Sequence, residues 1–194
     1  SMPAAINEAC QETLGALIRL CTGLAPDDGS WPKIGEEYFL FSFIGTVLTP
    51  QKIYIFWLGD GVYAVDSIVT VLGPYPNNAP PYLWYRTRGA EWEHVIVKES
   101  YVTTAVQSLL IGTDGAVDIE HNAQRNLPGK TETFGSLAQF WERDKYFRNP
   151  DMARRRLFLA NHEHIVPDGA GGIIREVGLL PDDTTFIVIR RRAV

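Results

Sequence analysis

Asp60, Asp114 and Asp182 each sit in a turn beside glycine or a second aspartate, next to an apolar run: Gly59-Asp60-Gly61, Thr113-Asp114-Gly115-Ala116-Val117-Asp118 and Leu180-Pro181-Asp182-Asp183. Carboxylates presented in this way suit a hard divalent cation. Mg2+ and Mn2+ take oxygen ligands in octahedral geometry, and Mg2+ usually keeps several waters, so a few convergent aspartates suffice for a site. Gly61 and Gly115 admit the turn conformations that aim an acid outward and leave room beside it. One Asp-Gly turn is a weak signal because the dipeptide is common in turns. Three such acids at the ends of apolar runs carry more.

Other chemistries have less support. Asn161-His162-Glu163-His164 has alternating spacing that could offer two imidazoles to Zn2+. A closed zinc site needs about four ligands, and none are grouped nearby, which favours a surface or capping role. His94 and His121 are isolated. No Ser-His-Asp arrangement is recognisable by context, and no phosphate loop precedes a helix. Arg154-Arg155-Arg156 and Arg190-Arg191-Arg192 are two short basic runs that could meet a phosphate, with solvated surface the better reading. Cys10 and Cys21, the two cysteines, are eleven apart on one helix face, about three turns from each other. They cannot bridge at that separation and read as small buried apolar residues.

The elements that position these residues follow from periodicity. Ile6, Cys10, Leu14, Leu17, Ile18 and Cys21 recur at helical spacing from Ala4 to Leu24, and Pro26-Asp27-Asp28-Gly29 supplies a stop. Tyr38 to Leu48 and Lys52 to Trp57 are rich in aromatic and β-branched residues, with Thr49-Pro50-Gln51 between them as a hairpin turn. Val62 to Leu72 reads as one further strand, apolar enough to be buried on both faces as in a packed sandwich. Pro74 to Pro81 is an ordered surface loop or flap, which Tyr75, Tyr82, Trp84 and Tyr85 pin or turn into a groove, pinning being the safer reading. Val95 to Val97, Ser108 to Ile111 and Phe186 to Ile189 are strands. The chain turns helical between Ala116 and His164, most clearly at Phe134 to Phe140 and Met152 to Leu159. Strands, a helical insert and a returning strand make a mixed α+β fold.

With 194 residues, 45% hydrophobic and 21% charged, the chain can bury one sizeable core, so one domain over 1–194 is the expectation, with 73–100 as a flap or loop region. A formal charge of −5 argues against the broad basic face that nucleic acid or an anionic membrane requires. No apolar stretch approaches a membrane span, and no signal-peptide pattern opens the chain. A reducing cytoplasm fits two unpaired thiols best. Ser1 directly before Met2 looks like the remnant of a cleaved tag.

Leu109-Leu110-Ile111-Gly112-Thr113-Asp114-Gly115-Ala116-Val117-Asp118 resembles the strand followed by Thr-Asp-Gly-x-x-Asp of the metal-dependent protein phosphatase family, type 2C. Leu180-Pro181-Asp182-Asp183-Thr184-Thr185-Phe186-Ile187-Val188-Ile189 is similar to its closing segment. Ile53 to Asp60 is similar to its strand ending in Gly-Asp-Ser, with Gly61 in place of Ser. Order and approximate spacing agree from about Tyr38 to Arg190, and Asn77-Asn78-Ala79-Pro80-Pro81-Tyr82 looks like bacterial members. The resemblance implies an α+β fold of αββα layers, a β-sandwich flanked by helices. It implies Asp114 and Asp182 as ligands of a pair of Mn2+ or Mg2+ ions, and Asp60 and Asp118 as acids of an additional, weaker metal. Asp118 could equally be the N-cap of the following helix. In the family the metals activate a water for attack on phosphoserine or phosphothreonine, with no protein nucleophile. The implied partner is a phosphoprotein substrate or a regulatory partner.

The family's phosphate-binding Arg, its early Glu-Asp pair and its Asp-Gly-x-Gly-Gly strand end do not precede Ala4. Asp168-Gly169-Ala170-Gly171-Gly172 spells the last of these, but fourteen residues before Asp182, and reads as a coincidental glycine loop. A fold incomplete at its N-terminal side, by truncation or by degeneration, is expected to have low or absent phosphatase activity alone. A phosphatase-like binding or regulatory module that acts through residues 73–86 is the alternative.

Overall fold

The computed structural model describes residues 1–27, 29–89, 97–149, 151–169 and 172–192. Helices α1 (Met2–Leu24) and α2 (Trp31–Tyr38) are followed by strands β1 (Phe43–Leu48), β2 (Lys52–Leu58), β3 (Gly61–Val65), β4 (Ile68–Leu72), β5 (Val97–Val102) and β6 (Ser108–Gly112). Helices α3 (Val117–His121), α4 (Gln139–Glu142), α5 (Lys145–Arg148) and α6 (Asp151–Ala160) lead to β7 (His164–Pro167), β8 (Ile173–Glu176) and β9 (Phe186–Arg190). The architecture is mixed α+β with small antiparallel sheets. Two compact units share the chain: Ser1–Asp60 with Gly73–Ala105, and Gly61–Leu72 with Val106–Val194. Among the described residues no helix is long and apolar enough to cross a membrane.

In the first unit α1 buries Ile6, Cys10, Leu14 and Cys21, the stripe its periodicity predicts, and Pro3 occupies its first turn where no amide donor is needed. The stripe packs with Leu58, Leu83 and Trp84 into a core that Trp31, Phe39, Phe43 and Phe56 border. Both cysteines are free, and burial pushes both thiols up, which keeps them protonated and unreactive. Trp31–Tyr38 is helical, so the strand expected from Tyr38 begins only at Phe43. Gly35 explains the helix's docking, because a Cβ there would run into the Trp84 ring. The sheet runs β1-β2-β5. Its first turn is the expected hairpin: Thr49 N–H donates to Lys52 O at 2.8 Å and Lys52 N–H to Thr49 Oγ1 at 2.9 Å. Residues 73–89 are irregular with two 3₁₀ turns, one carrying buried Leu83 and Trp84, and Tyr75 OH donates to Gly59 O at 2.9 Å. These aromatic residues pin the segment. Residues 95 and 96 of the expected Val95 to Val97 strand lie outside the described residues, as does His94; Val97 opens β5.

The second unit is built on a sheet of order β4-β3-β6-β9. Every residue of β3 and β6 is buried, as their continuous apolar runs require. The expected single strand from Val62 to Leu72 is instead a β3–β4 hairpin that pairs Val65 with Ile68. Asp66 makes that reversal at φ 53°, and its Oδ1 accepts the N–H groups of Gln107 and Ser108, each at 2.8 Å. The helical stretch also needs correction. Residues 122–138 are turns and loops, so of the Phe134 to Phe140 periodicity only its end lies in α4. Phe134, Leu137 and Phe140 are nonetheless in the core with Leu110, Ile119 and Leu127. Buried Gln139 ties the loop together, donating to Phe134 O at 3.0 Å and Ser136 O at 2.9 Å while accepting from Tyr146 OH at 2.8 Å.

Arg156 overturns the solvated reading of its basic run. It is 7% exposed, and its guanidinium donates to Phe134 O, to Thr133 O at 2.6 Å and to Glu132 Oε1 at 2.6 Å. Arg154 and Arg155 are exposed. Arg190 likewise donates to Asp144 Oδ1 at 2.7 Å and Trp141 O at 3.1 Å. The glycine loop at Asp168 is the turn of a hairpin, β7–β8, that the sequence reading missed: Asp168 N–H donates to Gly172 O at 3.1 Å. Residues 170 and 171 lie outside the described residues.

Candidate carboxylate site

β6 and β9 are antiparallel, with Gly112 at the end of one opposite Phe186 at the start of the other. The two acidic segments therefore leave the sheet at the same end. Thr113 N–H donates to Thr185 O at 2.9 Å, and Thr185 N–H returns to Thr113 Oγ1 at 3.1 Å. The Thr113 hydroxyl faces Asp183 O at 3.1 Å, and Thr184 Oγ1 donates to Gly115 O at 3.1 Å. Small residues permit this approach. A Cβ on Gly115 would stand 2.6 Å from Asp183 O, and one on Gly112 would stand 3.1 Å from Ala116 Cβ, Phe186 Cβ and Thr185 O.

This clamp brings together the segments that carry Asp114 and Asp182, both exposed. Each carboxylate accepts the next backbone N–H, from Gly115 to Asp114 Oδ1 at 3.0 Å and from Asp183 to Asp182 Oδ1 at 2.7 Å. Those bonds orient the side chains on their turns. Hard oxygen donors held on fixed turns fit Mg2+ or Mn2+, which need one or two carboxylates when water fills the remaining positions. Among the described residues no three of His, Cys, Asp and Glu gather into a group that could hold a metal ion.

Asp118 is the second residue of α3 and not its N-cap, a position that Ala116 takes. Its half-buried carboxylate lies 3.9 Å from His121 Nδ1. A negative charge in the first turn still complements the partial positive charge of the helix start. Asp60 belongs to the first unit, where its Oδ1 accepts the Ser42 hydroxyl and its N–H donates to Ser42 Oγ at 3.2 Å. Burial, and then the nearby Asp60 charge, push the Tyr75 phenol up. His162 lies beside Phe158, ring centroids 5.9 Å apart. Ser42, Thr113 and Thr184 are the supporting residues the sequence reading left without a role. The threonines flank both acidic turns, a signal that was available; Ser42 comes from a distant segment and gave none.

Comparison with protein-family models, with curated proteins and with solved structures returns no match.

Proposed function

We infer that this chain is a phosphatase-type protein of the metal-dependent class, in which Asp114 and Asp182 offer oxygen ligands to Mn2+ or Mg2+. The observation that supports this reading is the clamp between their two turns, made by Thr113, Thr184 and the close approach at Gly115. A bound cation supplies an acidified water suited to attack on a phosphoserine or phosphothreonine ester. The chain's own part is to hold and orient: two carboxylates fixed by their neighbouring amides, and turns fixed to each other. Asp118 is proposed for an additional, weaker ion, and the αββα sandwich is the fold this reading carries with it. Turnover by this chain alone is expected to be low.

A binding or regulatory module without turnover is the second reading, favoured because among the described residues no three of His, Cys, Asp and Glu gather into a group that could hold a metal ion. Calorimetric titration of the intact chain with Mn2+ tests the site. Binding that disappears in Asp114→Asn and Asp182→Asn, with the fold retained, supports it. No binding at millimolar Mn2+, or binding that neither substitution weakens, refutes it. Mn2+-dependent hydrolysis of a phosphoserine peptide then separates enzyme from module.

A further inference from the structure

A cleft of about 730 Å3 in the second unit lies between residues 125–131 and the β7–β8 hairpin with the segment that follows it. Its charged lining has one sign. Arg125, Lys130 and Arg175 face it with the His164 imidazole, and no carboxylate lines it among the described residues. The rest of the wall is largely apolar, from Leu127, Pro128, Val177 and Leu179.

Local geometry builds this convergence. Gly129, at φ 66°, turns the loop so close to His164 that a Cβ would stand 2.9 Å from its Cε1. Lys130 N–H donates to Leu127 O at 2.9 Å, which closes the turn. Of the nearby acids, Glu132 is committed to Arg156, while Glu163 pairs with Nε and Nη2 of the cleft's own Arg175, so Arg125 and Lys130 carry most of the cleft's uncompensated charge. Arg125 donates to the neutral Asn122 Oδ1 at 3.1 Å, and Lys130 has no ion pair among the described residues. Like charges focused in a cleft raise its potential and draw an anion.

We propose that this cleft binds a phosphomonoester, its dianionic head on Arg125, Lys130 and Arg175 and its attached group on Leu127, Pro128 and Val177. Guanidinium and ammonium donors suit phosphate oxygens. The volume exceeds what a bare phosphate fills and falls within the roughly 300–1,000 Å3 of small-ligand sites. The site needs neither Asp114 nor Asp182.

Titration calorimetry in EDTA tests it, with a phosphoserine peptide, its unphosphorylated twin and inorganic phosphate as probes. The phosphopeptide should bind at least about tenfold tighter than its twin, and Arg125→Glu with Lys130→Glu should cost about tenfold or more, because two of the three charge-assisted head contacts are lost. Lys130→Gln, a milder change, should still cost about threefold. Inorganic phosphate binding as well as the peptide supports the same chemistry and assigns the ligand as the free anion. Equal affinity for both peptides without phosphate binding, or no loss in either charge variant, overturns the proposal. Asp114→Asn with Asp182→Asn should leave this binding intact, so failure of the carboxylate reading and failure of this one are told apart.

Discussion

Replacing Arg156 by Met keeps an unbranched apolar stem on α6 and removes the guanidinium from beneath residues 132–134. Phe134 is fully buried, so its carbonyl, which accepts from Arg156 Nε at 3.2 Å and also from Nη2, loses partners that water cannot replace. The carbonyl keeps the Gln139 Nε2 bond at 3.0 Å, so the cost is that of losing hydrogen bonds from a charged donor, about 1.5–3 kcal/mol. Thr133 is exposed, so its carbonyl regains hydration. Glu132 is 59% exposed at its side chain and returns to water, so the lost ion pair adds at most about 1 kcal/mol. The sum is on the order of 3 kcal/mol, which for a chain of this size lowers the melting temperature by about 6–12 °C. Arg154→Met and Arg155→Met, on the exposed side of the same helix, should shift it by no more than about 2 °C. Arg156→Lys should fall between, because an ammonium keeps the charge but lacks the planar fork. Thermal melts by circular dichroism read all four. A shift for Arg156→Met no larger than those of its two neighbours would refute the reasoning.

Gly115→Ala places a methyl 2.6 Å from Asp183 O, so the clamp must open; about 1–3 kcal/mol of stability and most of any Mn2+ affinity should be lost, read by urea unfolding and calorimetry. Asp66→Ala removes the acceptor of two N–H groups and leaves Ala at φ 53°, which should cost about 2 kcal/mol in urea, with Asp66→Asn recovering part. The hydrogen bond from Arg156, and then its charge, hold the Glu132 carboxyl below its ordinary 4.5. Its stabilisation is therefore full above that value and is lost as pH falls through the lower, folded-state one. Unfolding midpoints of wild type and Glu132→Gln should differ at neutral pH and converge in acid; a constant gap would sink the assignment.

Where structure follows from neighbours in the chain, it was readable. The α1 stripe, the Thr49-Pro50-Gln51 hairpin, and strands β6 and β9 beside their acidic turns are set by local periodicity and turn residues. What escaped depends on partners far away. Asp66 breaks an apolar run because its carboxylate meets amides at 107 and 108. Arg156 looks like one of three surface charges until the loop carbonyls at 133 and 134 are seen above it. Trp31–Tyr38 is a helix that docks through Gly35 on the Trp84 ring, a partner far along the chain. The β7–β8 hairpin carries Ile165, Ile173 and Ile174 largely exposed, so no buried stripe announced it. For the carboxylate site, the turns and their acids were legible, and the threonine clamp joining them was not.

The two units interleave along the chain, and this sets an order for biosynthesis. The first unit is complete in sequence once Ala105 has been made. The β3–β4 hairpin, by contrast, leaves the ribosome with the wholly apolar face of β3 lacking β6, which begins about forty residues later, and β9 comes about seventy residues after that. At about 5–20 residues per second, that strand waits several seconds for β6, its second neighbour, and longer for the sheet to close. During synthesis one edge of β3 stays unpaired for that time, and in the finished chain a single cut after Leu72 would divide both units, whereas one after Asp60 would divide only the first.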